Sequence, residues 1–300
     1  MTSVLFDAPG PRARRNTLIG TLIAAVLILG VVALALLQLS GSGQLDGAKW
    51  GPLFNPANPY FVAVWSALGV GLGLTLTAAA LTLVFSLLIG TLLVVTRLST
   101  TRVFRWLVVG FIELLRGLPV VITIFIAARV LPEIGIALPP LWYLVVGLTA
   151  YNCVIIAEIL RSGVAAIPRG QTEAAYAVGL SKLQTLRIIL LPQAFRIMLP
   201  ALISQLVVIV KDTSLGFVIF NFSEFVRTAR IVIQFFAGSE GVNLTLQMFV
   251  AVAIVFILIN FGLGKLAEYV QRRSGRARKT AAAPILKVGA GVGEGGTGGL

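Results

Sequence analysis

Two polar groups interrupt an otherwise apolar chain. The first is the stretch QTEAAYAVGLSKLQTLRIILLPQ, Gln171–Gln193, which is helical in pattern and broken once by glycine. The second is Lys211-Asp212-Thr213-Ser214, set inside the apolar run LISQLVVIVKDTSLGFVIF. A charge at the centre of a membrane span costs about 3 kcal/mol on insertion scales, so such residues point either to a pathway or to a structural ion pair. Adjacent helical residues point about 100° apart, so Lys211 and Asp212 are expected to face different partners. Glu158 and Arg161 sit one helical turn apart, as do Glu113 and Arg116; such pairs are worth a few tenths of a kcal/mol when exposed. The first pair reads as a gate or packing contact. Arg116 opens the run RGLP, where Gly117 and Pro119 loosen a helix. Asn152, Gln205 and Thr75 are weaker pathway candidates, since a lone polar residue in a span is more often a helix–helix hydrogen bond. The chain has no histidine, which removes the commonest metal ligand and the usual general base. We therefore expect no catalytic residue, metal or cofactor on this chain.

These groups must be positioned by membrane helices. Apolar residues make up 58% of the 300 residues and charged residues 12%, against about 25% charged in soluble domains. Mean hydropathy is +0.98. The apolar runs are long and unbroken, which argues for helices rather than the alternating pattern of a barrel. Six spans are expected: Thr17–Leu39, Phe61–Thr96, Trp106–Ala128, Leu141–Leu160, Ile197–Phe220 and Leu244–Leu266. The first exceeds a signal-peptide core and reads as an uncleaved anchor. The second is too long for one straight crossing, so it tilts or begins outside the membrane. Ala48–Tyr60, with three prolines, reads as an irregular outer loop.

Charge sets the orientation. The net charge is +13, and the basic residues flank the spans, so they speak for membrane topology rather than nucleic acid. Arg12–Arg15, Arg97–Arg105, Arg161–Arg187 and Lys265–Lys279 all fall on one side, which the positive-inside rule makes cytoplasmic, with both termini there. Arg227 and Arg230 are the exceptions on the other side. The lone Cys153 cannot form an intramolecular disulfide. Organisation follows: 1–40 an N-terminal segment and extra span, 41–60 an outer loop, 61–271 the membrane core with the polar loop at 168–192, and 272–300 a basic then glycine-rich tail that reads as disordered.

Within the loop, Pro168 suits a helix start and Gly179 the position just past a helix Glu173–Val178. Ser181 with Gln184 forms a capping box that restarts a helix, which Pro192 then interrupts. The full spacing is specific: Glu173-Ala174-Ala175, three residues, Gly179, nine residues, Ile189, one residue, Leu191-Pro192. It resembles the EAA signature of ABC-importer permeases. AIPRGQTEAAYAVGLS, LPQAFRIMLP, VKDTSL, ELLRGLP and YNCVIIAEILRSGV are similar to the polar amino-acid branch of that family. The likeness runs from about Gly69 to Glu268 and is nearest to actinobacterial glutamate-transporter permeases, which carry an extra N-terminal span. Leu118, Thr123 and Ser204 depart from the branch, where Thr, Gln and Asn are usual.

The resemblance implies an all-α integral membrane protein: an extra helix, a five-helix type I permease core and a cytoplasmic coupling helix. Glu173, Ala174, Ala175 and Gly179 would couple it to a separate ATPase, which holds ATP and Mg because this chain has no Walker lysine motif. An extracytoplasmic amino-acid-binding protein, such as a lipoprotein, and a second homologous permease are further implied partners, with a heteromer favoured. Lys211, Asp212, Thr213, Ser214, Glu158, Arg161, Arg116, Asn152 and Thr75 are the pathway or gate candidates. The implied location is the bacterial plasma membrane and the implied cargo a polar amino acid, with glutamate the nearest case. The competing readings are an ion-gradient-driven transporter or channel, in which the EAA spacing has no role, and a membrane scaffold, which leaves Lys211 and Asp212 only packing to do.

Overall fold

The computed structural model describes residues 10–99, 101–216 and 222–281, with side chains up to Arg272. The described residues are helical, with short turns between helices. In order these are α1 Pro11–Gly41, α2 Gly47–Phe54, α3 Phe61–Ser99, α4 Arg102–Gly117, α5 Val120–Glu133, α6 Pro140–Ala165, α7 Arg169–Ala177 and the single turn α8 Lys182–Gln184. A π turn Thr185–Leu190, α9 Leu191–Asp212, a 3₁₀ turn Thr213–Leu215, α10 Phe225–Ser239 and α11 Thr245–Ala281 follow. Among the described residues, five helical stretches are long and apolar enough to cross a membrane: Pro11–Gly41, Phe61–Ser99, Pro140–Ala165, Lys182–Leu215 and Thr245–Arg272.

The sixth expected span, Trp106–Ala128, is not one helix. α4 and α5 meet at a bend of 101°. The reason is local: Leu118 precedes a proline, which disfavours helical backbone, and it is extended at φ −90°, ψ 136°. Pro119 then starts α5. Ala48–Tyr60 is also more ordered than expected. α2 forms there because the Asp46 carboxylate accepts the Ala48 N–H at 3.4 Å and because Pro52 and Leu53 bury its inner side. The expected end of the fifth span at Phe220 and the glycine-rich tail lie outside the described residues.

The chain divides into two compact units, Met1–Leu68 with Ala229–Ala251, and Gly69–Thr228 with Val252–Leu300. In the first, the Trp65 indole N–H donates to the Leu53 carbonyl at 2.9 Å. Tyr60 stacks edge-on against Phe236 with ring centroids 5.0 Å apart, and its hydroxyl meets Glu240 at 2.5 Å. No residue of α1 is buried, so its apolar surface is left to lipid or to another chain.

The second unit carries the candidate site. Its core is a set of apolar clusters where α3, α5, α6 and α9 cross. One joins Val94 of α3, Ile156 and Leu160 of α6, Leu186 and Leu190 of the π turn and Ala194 of α9. Another joins Ala78, Ile124, Leu144 and Leu148. The α5–α6 approach is close enough to need glycine: a Cβ on Gly147 would lie 2.4 Å from the Ile124 Cα. Small residues at crossings let membrane helices gain van der Waals contact, the main attraction available to them in lipid.

Candidate functional site

The polar loop folds into a short helix, a sharp reversal and a restart. Pro168 precedes α7, where its missing N–H costs nothing. α7 ends in a Schellman motif. The Leu180 N–H donates to the Ala175 carbonyl at 3.1 Å and the Gly179 N–H to the Tyr176 carbonyl at 3.0 Å. Gly179 is at φ +82°, a left-handed conformation that favours glycine. The restart is the expected capping box: the Gln184 side chain accepts the Ser181 N–H at 2.8 Å, and the Ser181 hydroxyl oxygen accepts the Gln184 N–H at 3.4 Å.

One detail of the loop differs from the sequence reading. Pro192 does not interrupt the second helix. The chain passes through the π turn into α9, and Lys182–Leu215 is one span-length helical stretch. A wider turn leaves room for a ring that would clash with the carbonyl four residues back in an α-helix. Ala175 points inward, away from the exposed Glu173 and Ala174. It is 5% exposed, on the side of α7 that packs against the π turn. The outward surface is instead Glu173, Ala174, Tyr176, Ala177 and Val178. Tyr176 and Val178, at 48% and 77% exposed, were not singled out in the sequence, although a large apolar side chain on a polar loop is itself a signal of a docking surface.

Glu158 is the hub of a three-charge cluster. Its Oε1 accepts from Arg97 of α3, and its Oε2 accepts from the Arg161 Nε at 2.8 Å. In the sequence Arg97 counts only as an orienting charge. Its side chain and that of Glu158 are 21% and 20% exposed, so the pair is largely withdrawn from the surface. Arg116 pairs with Glu113 at 3.3 Å, and both are about half exposed.

In this chain Asn152 and Thr75 are buried and link helices. Asn152 is fully buried; its Nδ2 donates to the Leu148 carbonyl at 2.8 Å, and its Oδ1 accepts from the Gln205 Nε2 at 2.7 Å, joining α6 to α9. Thr75 is also buried, and its hydroxyl oxygen accepts the Phe225 N–H at 3.0 Å. That bond fixes the start of α10 against α3. Beside it lies Glu224, a buried carboxylate that the sequence reading passed over. It accepts the Val226 and Arg227 N–H groups, each at 2.7 Å, and so caps α10. Burial pushes its carboxyl up to about 7, against the lowering effect of those two donors.

The Lys211–Ser214 turn is different. Thr213 and Ser214 turn their hydroxyls back onto the Val210 and Lys211 carbonyls, each at 2.7 Å. Lys211 is exposed and Asp212 half-buried. Among the described residues, no ion pair within 4 Å joins either charge to a partner. Of the sequence candidates, the structure brings together Glu158 with Arg161, Arg116 with Glu113 and Asn152 with Gln205, and Lys211 with Asp212, Thr213 and Ser214 by chain adjacency. The EAA residues stand apart on their own helix. The second unit also has a pocket of about 350 Å³ lined by Phe85, Phe111, Trp142, Val145, Thr149 and Cys153 among others. None of the pathway candidates lines it, and its apolar walls offer nothing to a charged amino acid.

The arrangement has measurable relatives. Over 257 residues the chain is 42% identical to the glutamate transport system permease protein GluD of Corynebacterium glutamicum, covering 83% of this chain and 88% of that protein. It is 33% identical over 210 residues to the probable glutamine ABC transporter permease protein GlnP of Bacillus subtilis, covering 70% and 93%. The fold matches the crystal structure of an amino acid ABC transporter with histidines at a TM-score of 0.62 and 24% identity, over 71% of this chain and 96% of that one. A family model described as the binding-protein-dependent transport system inner membrane component matches residues 86–276, which takes in α7, the π turn and the Lys211–Ser214 turn. The chain therefore belongs to the family of binding-protein-dependent transport system inner membrane components.

Proposed function

We propose that this chain is the permease subunit of an ATP-driven importer of a polar amino acid, with glutamate as its cargo. The observation that carries the coupling role is α7, which with the following Val178 presents Glu173, Ala174 and Tyr176 outward while Ala175 anchors it inward. Such a surface suits a groove on a cytoplasmic ATPase. That partner binds ATP and Mg, and this chain performs no catalysis. The 42% identity to a glutamate transport permease supports the choice of cargo. The basic loops support an orientation with α7 and both termini in the cytoplasm.

The pathway is shared with a second permease subunit. A zwitterion crossing a low-dielectric layer needs polar partners, and the apolar pocket within this chain supplies none. Lys211 and Asp212, without ion-pair partners among the described residues, suit a face between two subunits. A homologous but distinct second permease fits the relationship to glutamate-type systems, and a membrane-anchored binding protein delivers cargo on the outer side. The test is purification with co-eluting partners, followed by reconstitution in vesicles. We expect an ATPase and a second permease to co-elute, and glutamate uptake to require ATP. Uptake that persists without ATP would overturn the reading in favour of a gradient-driven transporter.

A further inference from the structure

The link between α7 and the span is built with an unusual hydrogen-bond register. In the turn Thr185–Leu190, the Leu191 N–H donates to the Leu186 carbonyl, five residues back instead of four. Such a turn holds one more residue than an α-helix would in the same place. Pro192 follows at once. It has no N–H to offer the Ile188 carbonyl, and its ring would clash there, so it opposes relaxation of the turn to α geometry.

The turn is packed rather than frayed. Thr185, Leu186 and Leu190 are buried, and the two leucines sit in the cluster with Val94, Ile156 and Leu160. The Thr185 hydroxyl is buried with no hydrogen-bond partner, a cost that the surrounding packing sustains. Gln193 then ties the turn to α7. Its Nε2 donates to the Ile189 carbonyl at 2.9 Å and reaches the Gln171 Oε1 at 3.5 Å.

One residue in a helix corresponds to about 100° of rotation and ~1.5 Å of rise. The π turn therefore sets the angle at which α7 stands relative to α9. We infer that Pro192 and Gln193 are positioning residues for energy coupling: Pro192 locks the extra residue in place, and Gln193 joins α7 to the turn so that the two move as one lever. The inference rests on the proposed role of α7 as the ATPase-docking helix and adds the element that transmits its motion.

The experiment uses the assembled importer in vesicles and reads glutamate taken up per ATP hydrolysed. Pro192→Ala supplies the missing N–H and allows an α turn. The uptake-to-hydrolysis ratio is expected to fall about tenfold, the size of a typical coupling free energy, while the complex still assembles. Gln193→Leu should lower the ratio several-fold. Combining Pro192→Ala with deletion of the exposed Ile188 removes the extra residue and restores the angle of α7 on a continuous helix, so the ratio should recover; a residue needed only for folding would show no such rescue. An unchanged ratio in Pro192→Ala, or no recovery in the combined variant, overturns the inference. If Pro192→Ala does not assemble, Gln193→Leu decides: a ratio unchanged from the unmodified importer overturns it. Val178→Asp separates the two levels. If it leaves ATPase binding intact, the docking role of α7 fails; if it blocks binding while the Pro192→Ala ratio stays unchanged, only the lever fails.

Discussion

Glu158 and Asp212 are both carboxylates on membrane helices, and their surroundings are opposite. Glu158 has a guanidinium on each oxygen, one from its own helix and one from α3. Asp212 has a lysine as its chain neighbour, yet no ion pair joins it to any described residue. A charge in a span is retained either because its partner is present or because its partner arrives from elsewhere. Glu158 is the first kind and holds two helices together. Asp212 has no ion-pair partner among the described residues; under the proposed function, its partner is cargo or another subunit.

The comparison breaks most visibly at Asp212. Asp212→Asn keeps the size and removes the charge. Uptake should fall at least about tenfold, comparable to 1.4 kcal/mol or more, with membrane levels unchanged; normal uptake would remove Asp212 from the pathway. If Asp212→Asn combined with Lys211→Met regains uptake, the two charges are a structural set and Asp212 has no pathway role. At Glu158 the expected loss is in stability. Glu158→Gln strands two arginines in a partly exposed site, for a cost of about 1–2 kcal/mol. Thermal denaturation in detergent should show it, and an unchanged midpoint would mean the cluster holds nothing.

Glu224 sharpens the contrast with a third environment, in which neutral backbone N–H groups replace guanidinium. Its carboxyl is raised from the ordinary 4.5 to about 7. The folded form then keeps a proton that the unfolded chain releases, so stability should fall as pH rises from about 4.5 to about 7 and level off above. Glu224→Gln should flatten that dependence. A flat profile in the unmodified protein would show that the cap holds the charge after all. The smallest effect is expected at the half-exposed pair of Glu113 and Arg116, where Glu113→Gln should shift stability by less than about 0.5 kcal/mol.

Legibility in the sequence followed the range of the interaction. The Schellman reversal at Gly179 and the Ser181–Gln184 capping box depend on residues within six positions of each other, and both were readable. The bond from Arg97 to Glu158 joins residues 61 apart, and nothing in either neighbourhood names the other. The break at Leu118 was signalled by Gly117 and Pro119, but an apolar run long enough for one span concealed a 101° bend. The EAA signature pairs Ala174 with Ala175, but burial separates them: Ala174 is exposed and Ala175 is 5% exposed. Successive positions on a helix diverge by about 100°, so Ala175 lies about 200° from Glu173, on the opposite face.

The central claim is that α7 docks on a cytoplasmic ATPase. Val178 is the most exposed apolar side chain of that segment, and the native Cys153 is buried, so Val178→Cys gives a single accessible thiol on the described surface. In the assembled importer, a short thiol-to-amine cross-linker should join this position to the ATPase and leave it unlabelled by an impermeant reagent added outside intact cells. Labelling from outside, or an assembled complex with no cross-link to the ATPase, would contradict the account.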